Sequence, residues 1–201
     1  SMEVISHGDS IFFGTWYNAT LSRSFFYRVS LSNGSIIWYY EGFESFVYTP
    51  VIYGEQIFLP LSNHLLSLPL NDPDNSGVID TGEVLWDFTA SAMVTSTMVV
   101  NSTVYLTTMD GYVYALNPEN GTCIHQFQTT GFITGIAGGD EIYISTRNGT
   151  MYALNHALDC LWNLSVGEEV YTTPVVYNHT VFVQGINNIY AISAGNISSA
   201  Y

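Results

Sequence analysis

The sequence predicts an all-β chain, a β-propeller of four-stranded antiparallel blades, about five of them with the last incomplete, or else an arc of a larger propeller. Three observations predict it. Tyr114-Ala115-Leu116-Asn117 returns as Tyr152-Ala153-Leu154-Asn155 and again as Tyr190-Ala191-Ile192-Ser193, each 38 residues on, with a fainter copy at Tyr27-Arg28-Val29-Ser30. A period of about 20–50 residues is the mark of a repeat architecture. Each copy lies among short runs of Val, Ile, Tyr and Phe separated by Asn-Gly, Thr-Gly or similar dipeptides, the strongest local hairpin signal. Composition agrees: 47% of residues are hydrophobic and 15% aromatic, and only 10% are charged where a soluble domain usually has about 25%.

The elements follow in order. Five units are expected, at about 3–43, 48–90, 95–129, 133–166 and 172–194, followed by a tail at 195–201; Ser1-Met2 reads as the scar of a cleaved tag. Each unit opens with a paired segment, as in Thr49-Pro50-Val51-Ile52-Tyr53-Gly54-Glu55-Gln56-Ile57-Phe58, echoed from Thr173 to Phe182. The tetrapeptide strand comes next, and a turn leads to an aromatic strand: Asn33-Gly34 to Trp38, Thr81-Gly82 to Trp86, Asn120-Gly121 to His125, and Leu158-Asp159 to Trp162. The fifth unit lacks this last strand. Stretches such as Val104-Tyr105-Leu106-Thr107-Thr108 have strand composition and no helical spacing, so helix is given no role.

These residues resemble the pyrroloquinoline-quinone-like repeat propellers, whose blades carry a Tyr-Ala-Leu-Asn/Asp strand, a Thr-Gly or Asn-Gly turn and a Trp. The resemblance implies that Trp38, Trp86 and Trp162 dock between neighbouring blades, with His125 standing where a further Trp is expected. It also implies short non-enzymatic members as the nearest functional comparison. The quinone dehydrogenases of the family use a vicinal Cys-Cys pair and a much longer chain, so no quinone cofactor is expected here.

One chemical motif stands out. Asp72-Pro73-Asp74-Asn75-Ser76-Gly77-Val78-Ile79-Asp80-Thr81-Gly82-Glu83 fits the twelve-residue calcium loop, with oxygen donors at alternate positions, Gly at the sixth and Glu at the twelfth. Calcium takes about 6–8 hard oxygen ligands, and only a sharp turn at the sixth position lets them converge. Asp72, Asp74, Ser76 and Asp80 would give side-chain oxygens, Val78 its carbonyl, and Glu83 a carboxylate. The competing reading is a solvated Asp-rich hairpin loop closed by its own Asx turns.

The 3 basic and 17 acidic residues, a formal charge of −14, exclude nucleic acid as a partner and disfavour an anionic membrane surface. No run approaches the roughly 20 apolar residues of a membrane helix, and no basic and apolar leader follows Ser1-Met2, so the sequence reads as a mature or excised piece. Asn-x-Ser/Thr occurs at Asn18, Asn33, Asn101, Asn120, Asn148, Asn163, Asn178 and Asn196, where chance at this composition gives roughly three. This points to an extracellular or cell-surface glycoprotein, with a secretory lumen or periplasm as the alternatives. At Asn33, Asn120 and Asn148 the Asn also suits positive φ in an Asn-Gly turn. Cys123 and Cys160 sit at matching places in adjacent units, too far apart for a disulfide, and are expected as two thiols that behave as small hydrophobes.

No catalytic set emerges. His7, His64, His125, His156 and His179 are scattered, and no nucleophile elbow, phosphate loop or zinc motif is present. Glu41 with Glu44 and Glu168 with Glu169 could supply two glycosidase acids, but both pairs lie between units, where charged loop residues are ordinary. The leading expectation is a non-enzymatic extracellular recognition or scaffold module that binds a protein or glycan partner. The alternative is a small-ligand- or glycan-binding sensor or enzyme domain using the central channel. Trp16-Tyr17, Tyr39-Tyr40 and Phe43 to Phe46 either mark a binding face or fill seams, and exposure of Tyr17, Tyr40 and Phe43 would favour the former. An open array would associate into homo-oligomers through its edges.

Overall fold

The structure is a computed structural model of the 201-residue chain and describes residues 4–16, 18, 20, 22–44 and 48–193. Tyr17, Phe46, Asn196, the 1–2 segment and the tail therefore lie outside the described residues. Among those described there is no helix.

Strands form where β-branched and aromatic residues alternate between polar turns. The first sheet contains β1 (Ile5–His7), β2 (Ser10–Gly14), β3 (Ser24–Ser30) and β4 (Ile36–Gly42). In the second unit come β5 (Val51–Tyr53), β6 (Gln56–Leu61) and β7 (His64–Pro69), then a two-residue strand β8 (Val78–Ile79), then β9 (Trp86–Thr89). The second sheet is ordered β5-β6-β7-β9, while β8 leaves its own unit and adds to the first sheet as a fifth strand beside β4. That pairing is parallel, Tyr39 with Val78 and Tyr40 with Ile79.

The third sheet is β10 (Val94–Val100), β11 (Thr103–Thr108), β12 (Tyr112–Leu116) and β13 (Cys123–Gln128). The fourth is β14 (Ile133–Gly138), β15 (Ile142–Thr146), β16 (Thr150–Leu154) and β17 (Cys160–Ser165). The fifth has three described strands, β18 (Val175–Tyr177), β19 (Thr180–Gln184) and β20 (Ile189–Ser193). Apart from β8, neighbouring strands in these sheets are consecutive in their unit, as a meander requires.

The chain divides into two compact units: residues 1–97 with 119–121, and residues 98–118 with 122–201. In the first, Phe12, Phe26 and Trp38 of the first sheet pack with Ile57, Leu59, Leu66 and Leu68 of the second. In the other, Tyr105 and Ala115 pack with Ile142, Ile144 and Leu154, and Tyr143, Met151 and Ala153 pack with Val181, Val183 and Ile192. Each core is therefore the meeting of two sheet faces.

One cross-strand rung recurs. Phe12 stands opposite Arg28, which stands opposite Trp38; the corresponding sets are Phe58, Ser67 and Trp86, then Tyr105, Ala115 and His125, then Tyr143, Ala153 and Trp162. The first, third and fourth sheets shift register immediately beyond the middle residue of the rung. The repeat is thus a repeat of pairing geometry as well as of sequence.

Two expectations about local chemistry are corrected. At Asn33-Gly34, Asn120-Gly121 and Asn148-Gly149 positive φ falls on the Gly, at 73°, 69° and 80°, and not on the Asn. The Asn acts through its side chain instead: Asn33 Oδ1 accepts from Ser35 N at 2.9 Å, and Asn148 Oδ1 accepts from Thr150 N at 3.3 Å. Cys123 and Cys160 are both free, as expected, but exposed instead of buried. Their thiols donate to the carbonyls of His125 and Trp162, a matching local arrangement in both sheets.

Candidate functional site

The acidic loop leaves β7 at Leu70 and returns at β9. Its carboxylates first satisfy its own backbone, because a tight turn leaves N–H groups without ladder partners. Asp72 Oδ2 accepts from Gly77 N at 2.6 Å and its Oδ1 from Asp74 N at 3.3 Å, while Asp74 Oδ1 accepts from Ser76 N at 2.9 Å. Hydrogen bonds from Ser76, backbone first and hydroxyl second, hold the Asp74 carboxyl below the usual carboxylate range. Gly77 takes φ of 86° at the sharp bend, a conformation that strains any residue with a Cβ.

Of the six residues the sequence nominates, three converge: Asp72, Asp74 and Glu83 each bring a carboxylate oxygen within 4.8 Å of the others. Asp80 stands outside this group. Its Oδ1 accepts from Gly82 N at 2.7 Å, and its own N–H donates to Glu83 Oε2 at 3.0 Å, which fixes the Glu83 side chain. The Ser76 hydroxyl donates to the Val78 carbonyl at 3.0 Å, so these two oxygens are adjacent but engaged with each other. Three hard anionic donors on a curled loop are a donor set of the kind calcium takes. The loop is also held by protein contacts, through β8, the buried Ile79, and Tyr39 N donating to Gly77 O at 3.2 Å.

Beside the loop, Arg28 donates to Leu70 O at 2.8 Å and Asn71 Oδ1 at 2.6 Å, and lies 5.7 Å from the Phe12 ring centroid. Trp38 is fully buried and its Nε1 donates to Leu70 O at 3.1 Å. The junction between the first two sheets is thereby tied at the root of the acidic loop. Trp86 stacks on Phe58 at 5.4 Å and lies close against Gly121, where a Cβ would come within 2.6 Å of the ring. Trp162 lies 6.2 Å from Tyr143 in the seam with the fifth sheet. His125 is exposed, and Phe127, two residues along, packs against that core instead.

A second feature lies where β2 and β4 end. Both strands run antiparallel to β3, so Trp16 and Phe43 follow the same end of the first sheet, 65% and 69% exposed. Next to Phe43 is a cavity of about 220 Å³ lined by Tyr40, Glu44, Leu61, His64, Leu66 and Asp87, with Gly42. His64 Nδ1 is 2.8 Å and 3.1 Å from the two Asp87 oxygens. Tyr40 is buried, and burial together with the Asp87 charge raises its phenol. Of the aromatics nominated as a binding face, Phe43 is exposed, Tyr40 belongs to the core, and Tyr17 lies outside the described residues.

Sequence reasoning missed the His64–Asp87 pair because the two are joined by a sheet register, Leu66 opposite Asp87 and His64 opposite Thr89, and not by a spacing. Three of the four nominated acids are otherwise employed, and Glu44 lines the cavity. Arg23 pairs with Glu41 at 3.0 Å, Glu168 accepts from the backbone and side chains of Asn187 and Asn188, and Glu169 accepts from the Tyr171 hydroxyl.

A family model described as "Outer membrane protein assembly factor BamB" matches residues 70–136. No curated protein is significantly similar to the chain in sequence. Among solved structures, BamB from Moraxella catarrhalis aligns with TM-score 0.73 and 15% identity, over 96% of this chain and 57% of that one. The computationally designed Ika8 protein aligns with TM-score 0.77 and 13% identity, over 94% and 57%, and the designed Ika4 protein with 0.59 and 14%, over 71% and 89%. The chain thus spans little more than half the length of the first two. These likenesses, with the four-stranded antiparallel sheets, bear out the expected all-β propeller and the resemblance to pyrroloquinoline-quinone-like repeats.

Proposed function

We propose that this repeat propeller is a non-enzymatic, protein-binding scaffold module of an extracytoplasmic compartment, with a calcium-stabilised loop. The observation that carries the binding role is the exposure of Trp16 and Phe43 at one end of the first sheet, beside a formed cavity. Large exposed aromatics next to a pocket are the residues on which protein interfaces concentrate their energy. The match to a family described as an outer membrane protein assembly factor supports the same reading. The compartment is supported by the sequons: all seven asparagines that fall among the described residues are exposed.

A photo-crosslinking amino acid placed at Phe43 tests the binding role in the native host. A discrete protein-sized adduct is expected there and not at Ile124, an exposed control on β13. Equal labelling at both positions counts against the proposal. A second reading, a small-ligand or glycan site, is favoured by the His64–Asp87 pair facing the same cavity as Phe43. Its mark would be a low-mass adduct at Phe43 in place of a protein.

In the calcium part of the proposal, Asp72, Asp74 and Glu83 form the anionic core of the site, with Ser76, Val78 and Asp80 completing it after a local turn of the loop. Binding to the folded chain alone raises stability by RT ln(1 + [L]/Kd), about 2.7 kcal/mol at a hundredfold excess over Kd. Thermal melting should therefore move up in millimolar calcium relative to chelator, and Asp74→Asn and Glu83→Gln should each remove most of the shift. Melting curves that superimpose with and without calcium would sink it.

A further inference from the structure

The recurring rung has an aromatic residue on the second strand of every sheet: Phe12, Phe58, Tyr105, Tyr143 and Phe182. In the last three sheets its neighbour across the pair is an Ala each time, Ala115, Ala153 and Ala191. Exposure is 0% for the first three aromatics, 2% for Tyr143 and 37% for Phe182. In the cores described above, Phe12, Tyr105 and Tyr143 each pack with apolar residues of the sheet that follows. The fifth rung presents the same surface uncovered. Register places Val175, Tyr177 and Ile189 on its face, all exposed, and no strand residue of this sheet is charged.

The receiving side of each such contact is equally regular. It is made by the two residues flanking the rung aromatic, which point to the opposite face: Ile57 and Leu59 in the second sheet, Ile142 and Ile144 in the fourth, Val181 and Val183 in the fifth, every one of them buried. In the first sheet the same positions are Ile11 and Phe13, and they are only half-buried. Around them Phe13, Phe25, Tyr27 and Tyr39 form a cluster with ring centroids 5.5–6.1 Å apart. The one charged strand residue on that face, Glu41, is neutralised by Arg23.

We propose that the fifth sheet's rung face, centred on Phe182, docks on the Ile11–Phe13 face of the first sheet of a second copy of this chain. The contact continues an interface the chain already makes within each compact unit: a rung aromatic of one sheet set against the flanking aliphatic pair of the next. Both faces are centred on apolar side chains, with the uncharged Thr180, Gln184 and Ser193 at the margins of the fifth-sheet face, and neither carries an unpaired strand charge, which is what a chain of charge −14 needs if two copies are to meet without repulsion at the contact. Because the two faces differ, the contact is head-to-tail, and a copy blocked at one face still offers the other.

Light scattering across a dilution series tests this. The weight-average mass should rise above 22.3 kDa with concentration. Phe182→Glu and Phe13→Glu should each hold the chain at the monomer mass, and an equimolar mixture of the two should form a dimer and stop there. Should either Glu variant melt early, Ile189→Lys and Ile11→Lys pose the same question at the same faces. A wild-type chain that stays monomeric up to its solubility limit overturns the proposal. So does a Phe13→Glu chain that associates like wild type, since the fifth sheet would then be pairing with its own counterpart.

Discussion

At the scale of single residues, Trp38 and Trp162 occupy equivalent rung positions and are held differently. Trp38 Nε1 donates to Leu70 O at 3.1 Å inside a fully buried site, whereas the buried Trp162 Nε1 has no partner among the described residues. A buried N–H without an acceptor carries its desolvation cost uncompensated. Trp38→Phe should therefore lower stability by about 1–2 kcal/mol, from the lost hydrogen bond and the orphaned Leu70 carbonyl. Trp162→Phe should fall within about 0.5 kcal/mol of wild type or slightly above it, since loss of ring volume is offset by loss of the unpaired donor. Chemical denaturation of the two variants side by side reads the difference; equal losses would mean that packing alone sets the value of both rings. The His125 position shows why such roles are not settled by alignment. An exposed imidazole stands there while Phe127 does the packing, so a rung residue can be replaced if a neighbour on the same face is large enough.

At the scale of elements, the strands were legible because hairpin chemistry is local. Gly34, Gly121 and Gly149 take the positive φ that their turns demand, and the tetrapeptide strand repeats at fixed intervals. What the sequence did not disclose is where β8 goes. Val78-Ile79 has strand composition, but its partner is β4, some 39 residues earlier and parallel, and nothing in a local pattern specifies a non-local parallel pairing. The acidic loop was legible in outline for the same reason that it was misjudged in detail. The alternating donors and Gly77 are visible in the chain, while the Asx bonds that turn Asp80 towards Gly82 and tie Ser76 to Val78 compete with convergence. The His64–Asp87 pair was invisible because it depends on which residues of β7 and β9 face each other.

At the scale of the whole molecule, every sheet apart from the β8 addition is built from antiparallel strands of one unit, and within each compact unit stability comes from faces meeting faces, so the first and fifth sheets carry the half-covered apolar surface on which the proposed self-association rests. The pairing of β8 with β4 has a mechanical corollary. Without it, the first sheet could peel from the second when the chain is pulled from its N-terminus, in a step that releases one repeat. With Val78 and Ile79 paired in parallel with Tyr39 and Tyr40, and Tyr39 N donating to Gly77 O, the second repeat has a finger laid across the first, and tension on the first is transmitted into the second. In single-molecule stretching the opening event should therefore release both repeats together, an extension of roughly 300 Å at about 3.5 Å per residue. Replacing Ile79 with proline, which removes an N–H and a buried anchor, should split that event into two shorter ones.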